Sequence, residues 1–151
     1  MKKYLFLLVA VFALVFTSCD KADPEARDAF VGTYAVDALV DYTVSAQGEQ
    51  ESGSMPVQGT VTVTKSDDEN GVLIAGDVYC KGTVEGDVLK IEPQHFRQLT
   101  LQGLIDLNVT FEPAQLVDNT LYVNGKASGT VTVAGQEGTL DGTITGVATK
   151  Q

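Results

Sequence analysis

The sequence predicts an all-β protein, a single antiparallel meander β-barrel of about eight to ten strands preceded by a short helix. Two observations carry this prediction. From residue 30 onward, apolar residues or glycines alternate with polar ones over long runs, as in strands that bury one face. Between the runs lie pairs such as Gly86-Asp87 and Asp118-Asn119, which tolerate the positive φ angles of tight hairpins. Neighbouring strands are therefore expected to be antiparallel.

The N-terminus has the three parts of an export signal. Lys2 and Lys3 supply a positive start, and residues 4–16 form an apolar run that is too short to span a bilayer as a helix. Small residues, Thr17 and Ser18, then precede a cysteine. We therefore expect this segment to direct export and to be removed.

The residues before Cys19 resemble the lipobox of bacterial lipoproteins, in which the cysteine thiol is acylated before cleavage on its N-terminal side. Phe16 stands where leucine is usual in that motif. The resemblance implies a lipoprotein signal peptide at residues 1–18, a lipidated tether at 19–25 and a folded domain at 26–151. Two or three acyl chains would hold the protein to a membrane more firmly than one chain does. An ordinary signal peptide that leaves a free thiol is the alternative.

The acidic tether that begins at Asp20 resembles signals that carry lipoproteins to the outer face of the outer membrane in Gram-negative bacteria. The expected location is the outer membrane, on its periplasmic side or at the cell surface. The whole chain has a formal net charge of −10 at pH 7. This charge argues against nucleic acid as a partner and against electrostatic attachment to anionic membranes. The expected link to the membrane is therefore the N-terminal lipid.

The elements of the domain follow from local patterns. Pro24, with Asp23 as N-cap, predicts a short helix through Ala29. Long strands are predicted over residues 30–46 and 97–111, because apolar residues occupy every second position in each run. A shorter run of the same kind covers residues 57–63, and further hairpin turns are predicted at Asn70-Gly71 and Asn124-Gly125.

The choice between a barrel and a sandwich depends on strand length. Strands of about 15 residues exceed the usual length, and a glycine such as Gly103 lets a long strand bend around a barrel. This favours the barrel over the sandwich.

The segment from Phe30 to Tyr34 resembles the start of lipocalin-like (calycin) barrels, where a short helix leads to Gly-x-Trp on the first strand. Tyr34 stands in the aromatic position, and Lys150 is the candidate for the basic residue that packs over that aromatic from the last strand. The chain contains no tryptophan. The resemblance, in particular to small lipocalin-like lipoproteins of Gram-negative bacteria, implies barrel topology across residues 24–150.

Candidate catalytic residues are few. His95 is the only histidine, which excludes metal motifs that need two histidines. Its surroundings indicate a loop between strands, with a catalytic or ligand-binding role as the alternative. Cys80 continues an apolar face with Val72 and Ile74, which indicates a small buried hydrophobe, with a reactive thiol as the alternative. The sequence predicts no cofactor and no enzymatic activity.

One acidic stretch follows the spacing of an EF-hand calcium loop: Ser66, Asp68, Asn70, Gly71 and Asp77. Serine replaces the first aspartate and Asp77 replaces the bidentate glutamate. The flanking segments are also predicted strands, where an EF-hand requires helices. We therefore interpret the stretch as an acidic hairpin tip without a metal.

A closed barrel either fills its interior with side chains or holds one small ligand. The first hypothesis is a membrane-tethered protein that binds a small apolar ligand. The alternative is a cell-surface structural or interaction module with a filled barrel, whose outward threonine-rich strands meet a protein or glycan. An open interior would favour the first hypothesis. The expected pocket lining comes from the two long strands: Tyr34, Tyr42, Leu107, Val109 and Phe111.

Overall fold

The computed structural model describes residues 24–77, 79–100, 103–133 and 135–151. They form one helix and ten strands in a single antiparallel sheet, so the predicted fold class is confirmed. The expected signal peptide, Cys19 and most of the tether lie outside the described residues. The elements are α1 (Pro24–Phe30), β1 (Gly32–Ala46), β2 (Glu49–Lys65), β3 (Gly71–Ala75), β4 (Tyr79–Glu85), β5 (Val88–Ile91), β6 (Gln94–Thr100), β7 (Gly103–Phe111), β8 (Ala114–Val117), β9 (Thr120–Val133) and β10 (Gln136–Lys150).

Eight of the strands close into a ring in the order β1-β2-β3-β4-β5-β8-β9-β10, with β10 pairing back to β1. The hairpin of β6 and β7 interrupts this meander. One edge of β9 is shared, because residues 120–121 pair with β8 whereas residues 125–133 pair with β7. The sheet is therefore a complete barrel at one end, which we call the closed end. At the other, open end it continues as six strands, β6-β7-β9-β10-β1-β2.

The wall of the barrel is interrupted along one side. On β2 only residues 62–65 pair with β3, so residues 49–61 have no partner strand on that side within the described part of the chain. The outer edge of β6 is likewise unpaired by any described strand. The open end therefore has two free edges, one on β2 and one on β6.

The hydrophobic core fills the closed end. Phe30 and Tyr34 are its largest buried side chains, and α1 packs against β2 and β4. The Tyr34 hydroxyl is buried and donates a hydrogen bond to the Phe30 carbonyl at 2.8 Å. Among the described residues, those buried in the core lie between residues 30 and 148. The other members are Val63, Val72, Ile74, Val84, Leu89, Ala114, Leu121 and Ala148.

The helix itself agrees with the prediction, since α1 begins at Pro24 and ends one residue beyond Ala29. It is attached to the sheet by polar contacts. Asp28 forms an ion pair with Lys65, and the Lys150 ammonium donates to the Ala29 carbonyl at 3.0 Å. No helix among the described residues is long and apolar enough to cross a bilayer.

The long strand predicted over residues 97–111 is wrong, because the chain reverses there between β6 and β7. Thr100 pairs with Gly103, and the Thr100 hydroxyl both donates to the Gly103 carbonyl and accepts from its amide. Gly103 has a φ of +148°, which side chains rarely tolerate. The reversal shifts the alternation by one position, so Leu99 lies on the outer face and is 79% exposed.

Two of the four predicted tight turns are confirmed, since Gly86-Asp87 joins β4 to β5 and Asp118-Asn119 joins β8 to β9. The chain also turns before Gly71, but through a loop of residues 66–70, and neither Asn70 nor Gly71 has the positive φ of the predicted tight hairpin. The turn predicted at Asn124-Gly125 is wrong, because both residues lie inside β9. A Cβ at Gly125 would come within 3.0 Å of the Phe111 ring and 2.7 Å of a carbonyl oxygen, so this glycine serves close packing rather than chain reversal.

Candidate ligand-binding site

Above the packed core, the barrel interior contains a cavity of about 370 Å³. This volume lies within the range of about 300 to 1,000 Å³ that is usual for small-molecule sites. Its walls are the inward faces of strands on all sides of the barrel. The lining is mainly aliphatic and aromatic, and it includes Val36, Val61, Ile74, Ile91, Phe96 and Val123.

The cavity opens through the interrupted side of the wall. Residues 57–61 of β2 line it on one margin, Gln94 and Phe96 of β6 on the other, and Gly76 and Asp77 between β3 and β4. Val57 lines the cavity and is nevertheless 40% exposed. A molecule could therefore enter between the free edges of β2 and β6.

The five predicted lining residues share the inner face of the sheet, but they occupy three levels. Tyr34 forms the floor, fully buried and hydrogen-bonded, while Val109 and Phe111 stand in the wall. Tyr42 and Leu107 lie further toward the open end, outside the lining of the cavity. Tyr42 folds over Gly53, where a Cβ would come within 2.6 Å of the tyrosine oxygen. Three of the five predicted residues therefore line the cavity, and the other two lie on the same face beyond it.

The opposite wall of the pocket was not predicted from the sequence. Ile74 and Ile91 line the cavity from β3 and β5, and Val57 and Val61 line it from β2. The alternating pattern of residues 57–63 indicated an inward face for the β2 residues. The pairing of β5 with β8 closes this wall of the barrel, and no local sequence pattern indicates that these two strands pair.

Cys80 also lines the cavity, on the inner face of β4. It is half-buried rather than fully buried, and it packs against the core cluster. Burial raises the pKa of its thiol, because an apolar environment disfavours the thiolate. Since the thiolate is the reactive form, this environment fits the hydrophobic role that the sequence predicts better than the reactive one.

The structure places His95 in β6 rather than in the predicted loop. Its ring lies on the outer face, and its Nε2 is 2.6 Å from a carboxylate oxygen of Asp106. Arg97 lies beside the same carboxylate, with its Nε at 3.6 Å. The three side chains form an exposed cluster outside the cavity lining.

The acidic hairpin tip between β2 and β3 contacts the helix. The Arg27 guanidinium donates to the carbonyl of Asp68 at 2.7 Å and to those of Ser66 and Gly71 at 3.3 Å. The carbonyls of this loop therefore converge on a cation of the protein itself. Within the described ranges, no group of three or more histidine, cysteine, aspartate or glutamate side chains is arranged to hold a metal.

A second concave region of about 870 Å³ lies at the open end of the sheet and includes much of its outer polar surface. Thr43 and Ser52 pair across β1 and β2 with their hydroxyls 2.8 Å apart, and Ser54 donates to Asp41. Lys126 and Asp141 complete the charged part of this groove. It is more open and more polar than the interior cavity.

The sequence matches no protein-family model and has no significant match among curated proteins. Among solved structures, it is similar to the crystal structure of the ywiB protein from Bacillus subtilis. The two chains are 14% identical, and the match covers 76% of this chain and 92% of that chain, with a TM-score of 0.27. This score is too low to demonstrate a shared fold.

Proposed function

We propose that the protein is a lipid-anchored barrel of the outer membrane that binds one small, mainly apolar molecule. The observation that carries this proposal is the unfilled apolar interior above a packed floor. An apolar molecule gains about 25 cal/mol for each Å² that it removes from water, so such a lining favours binding without specific polar contacts. The cavity also has an entrance, between the free edges of β2 and β6.

The closed end supports the lipocalin-like resemblance. Lys150 pairs opposite Tyr34, and its side-chain stem packs over Gly32, where a Cβ would come within 2.5 Å of it. A basic residue of the last strand thus lies beside the aromatic of the first strand. This register supports the role proposed for Lys150, and the nearby lysine stem explains why glycine occupies position 32.

The membrane attachment is proposed from the sequence. Acylation of Cys19 would place the lipid only a few residues before α1. The barrel would then stand next to the membrane surface, close to any ligand that partitions into lipid.

The second candidate function, a surface module that contacts a protein or glycan, uses the other face of the sheet. The polar groove around Asp41 and Lys126 favours it, because hydroxyls and charges there can hydrogen-bond a polar partner. In the first function the bound molecule would cover the inner face of the sheet, and in the second the partner would cover the outer face.

A binding titration tests the proposed function. Residues 20–151, which contain every core residue that the structure describes, would be titrated with the uncharged fluorescent probe N-phenyl-1-naphthylamine. We expect saturation at one probe per protein. Gly59→Phe should weaken binding at least about tenfold, because Gly59 lines the cavity and has open space around its Cβ position.

Thr145→Phe is the matched control, since Thr145 is exposed on the outer face of β10. It should bind the probe as the unmodified domain does. A folded domain that binds no probe would show that the cavity is not a binding site. Mass spectrometry of small molecules that co-purify with the protein from its native host would then identify the natural ligand.

A further inference from the structure

The described lining of the cavity carries a negative charge and no positive one. Among the described residues that line it, none is lysine, arginine or histidine, and the only charged side chain is that of Asp77. Asp77 is exposed and lies between β3 and β4, at the entrance. A ligand whose tail fills the cavity would therefore hold its head group near a carboxylate.

The basic side chains of the described region lie elsewhere. Lys81 and Lys90 are exposed, and Arg97 lies beside Asp106 on the outer face. Arg27 and Lys150 are held by backbone carbonyls at the closed end. Lys65 is paired with Asp28, and Lys126 lies in the polar groove at the open end. None of these basic side chains belongs to the lining of the cavity.

Toward the open end, the inner face of the sheet also carries negatively charged side chains. Glu49 and Glu51 alternate in phase with Val57 and Val63, so they belong to the inner face of β2, and both are exposed. Gln94 lines the cavity from β6, and its amide oxygen can accept a hydrogen bond from an ammonium or hydroxyl group. The charged groups on this side, Asp77, Glu49 and Glu51, are thus all negative.

We propose, resting on the proposed function, that the site selects amphiphiles by head-group charge: it takes cationic and uncharged head groups and rejects anionic ones. A carboxylate or phosphate at the entrance would be partly desolvated without a cationic partner and would be repelled by Asp77. An ammonium group would instead be attracted by Asp77. The specificity-determining residue is Asp77, and the cavity volume suits a single slender apolar tail.

Three ligands with the same tail test this inference: decylamine, decanol and decanoate. At pH 7 the amine is cationic, the alcohol neutral and the acid anionic. Displacement of N-phenyl-1-naphthylamine from residues 20–151 at low ionic strength would give the three dissociation constants. We expect decylamine and decanol to bind, and decanoate to bind at least about tenfold more weakly than decylamine. Added salt should reduce the difference, because it screens exposed charges.

Asp77→Lys should reverse the order of decylamine and decanoate and leave decanol unchanged. Asp77→Asn should bring the two charged ligands closer together. Glu69→Lys is the control with the same charge change, at the exposed hairpin tip of the closed end, and it should keep the original order.

The outcomes separate the two proposals. If the probe and decanol bind but the unmodified domain binds decanoate as tightly as decylamine, the selection by charge is wrong and the ligand-binding function stands. If neither the probe nor any of the three ligands binds, the proposed function is wrong. The comparison of ligands on the unmodified domain needs no variant to fold.

Discussion

Tyr34→Phe removes one hydroxyl from the floor of the barrel and leaves the ring in place. The residue is 0% exposed, and its hydroxyl is the donor of a buried hydrogen bond to the Phe30 carbonyl. The substitution leaves that carbonyl in an apolar environment without this donor. Removal of one partner from a buried neutral hydrogen bond costs about 1 to 3 kcal/mol.

Urea unfolding of residues 20–151, followed by circular dichroism, measures this cost. With a denaturant dependence of about 1 to 3 kcal/mol per molar, the midpoint should fall by about 1 M. Tyr122→Phe is the control, because Tyr122 is 56% exposed, and its midpoint should not move. If the free energy of unfolding of Tyr34→Phe falls by less than about 0.3 kcal/mol, the change is no larger than that of an ordinary surface substitution. Such a result would refute the assigned hydrogen bond.

Cys19→Ser should abolish labelling by a palmitate analogue while Cys80→Ser keeps it, and label that persists in Cys19→Ser would contradict the lipoprotein proposal. Gly125→Val should destabilise the domain by about 1 to 3 kcal/mol in urea unfolding, because its side chain would overlap Phe111; an unchanged midpoint would oppose the packing described. Burial raises the pKa of Cys80 above its ordinary value of 9.0; the unfolded chain therefore loses this proton first, and the free energy of unfolding should fall as pH rises above about 9. Cys80→Ala should lessen that fall, and equal slopes in both proteins would argue against the buried thiol.

The regular parts of the fold, such as α1 and β1, could be predicted from the sequence. The alternation over residues 30–46 agrees with β1, and Pro24 marks the start of α1, because both signals are local. The error at Gly103 has a physical cause. The sequence between β6 and β7 contains no strong turn pair, and each strand of the hairpin alternates by itself, so the two strands resemble one long strand.

The candidate site was predicted less completely than the fold. Val109 and Phe111 could be assigned because they follow the period of their own strand. The wall from β3, β4 and β5 depends on pairings between distant segments, such as Leu89 with Ala114, which no local pattern encodes. The entrance has the same origin, since it exists only where β2 extends beyond its partner β3.

Pro56 lies midway along the free edge of β2, and its position bears on self-association. The hairpin of β1 and β2 closes with Ala46 opposite Glu49, so odd-numbered residues of β2 bond to β1 and even-numbered residues direct their backbone groups outward. Pro56 is even-numbered and has no N–H, so the outward row of donors is broken at its centre. A second chain cannot add to this edge as a continuous strand, which limits edge-to-edge aggregation. The protein can thus keep a gap in its wall and remain dispersed.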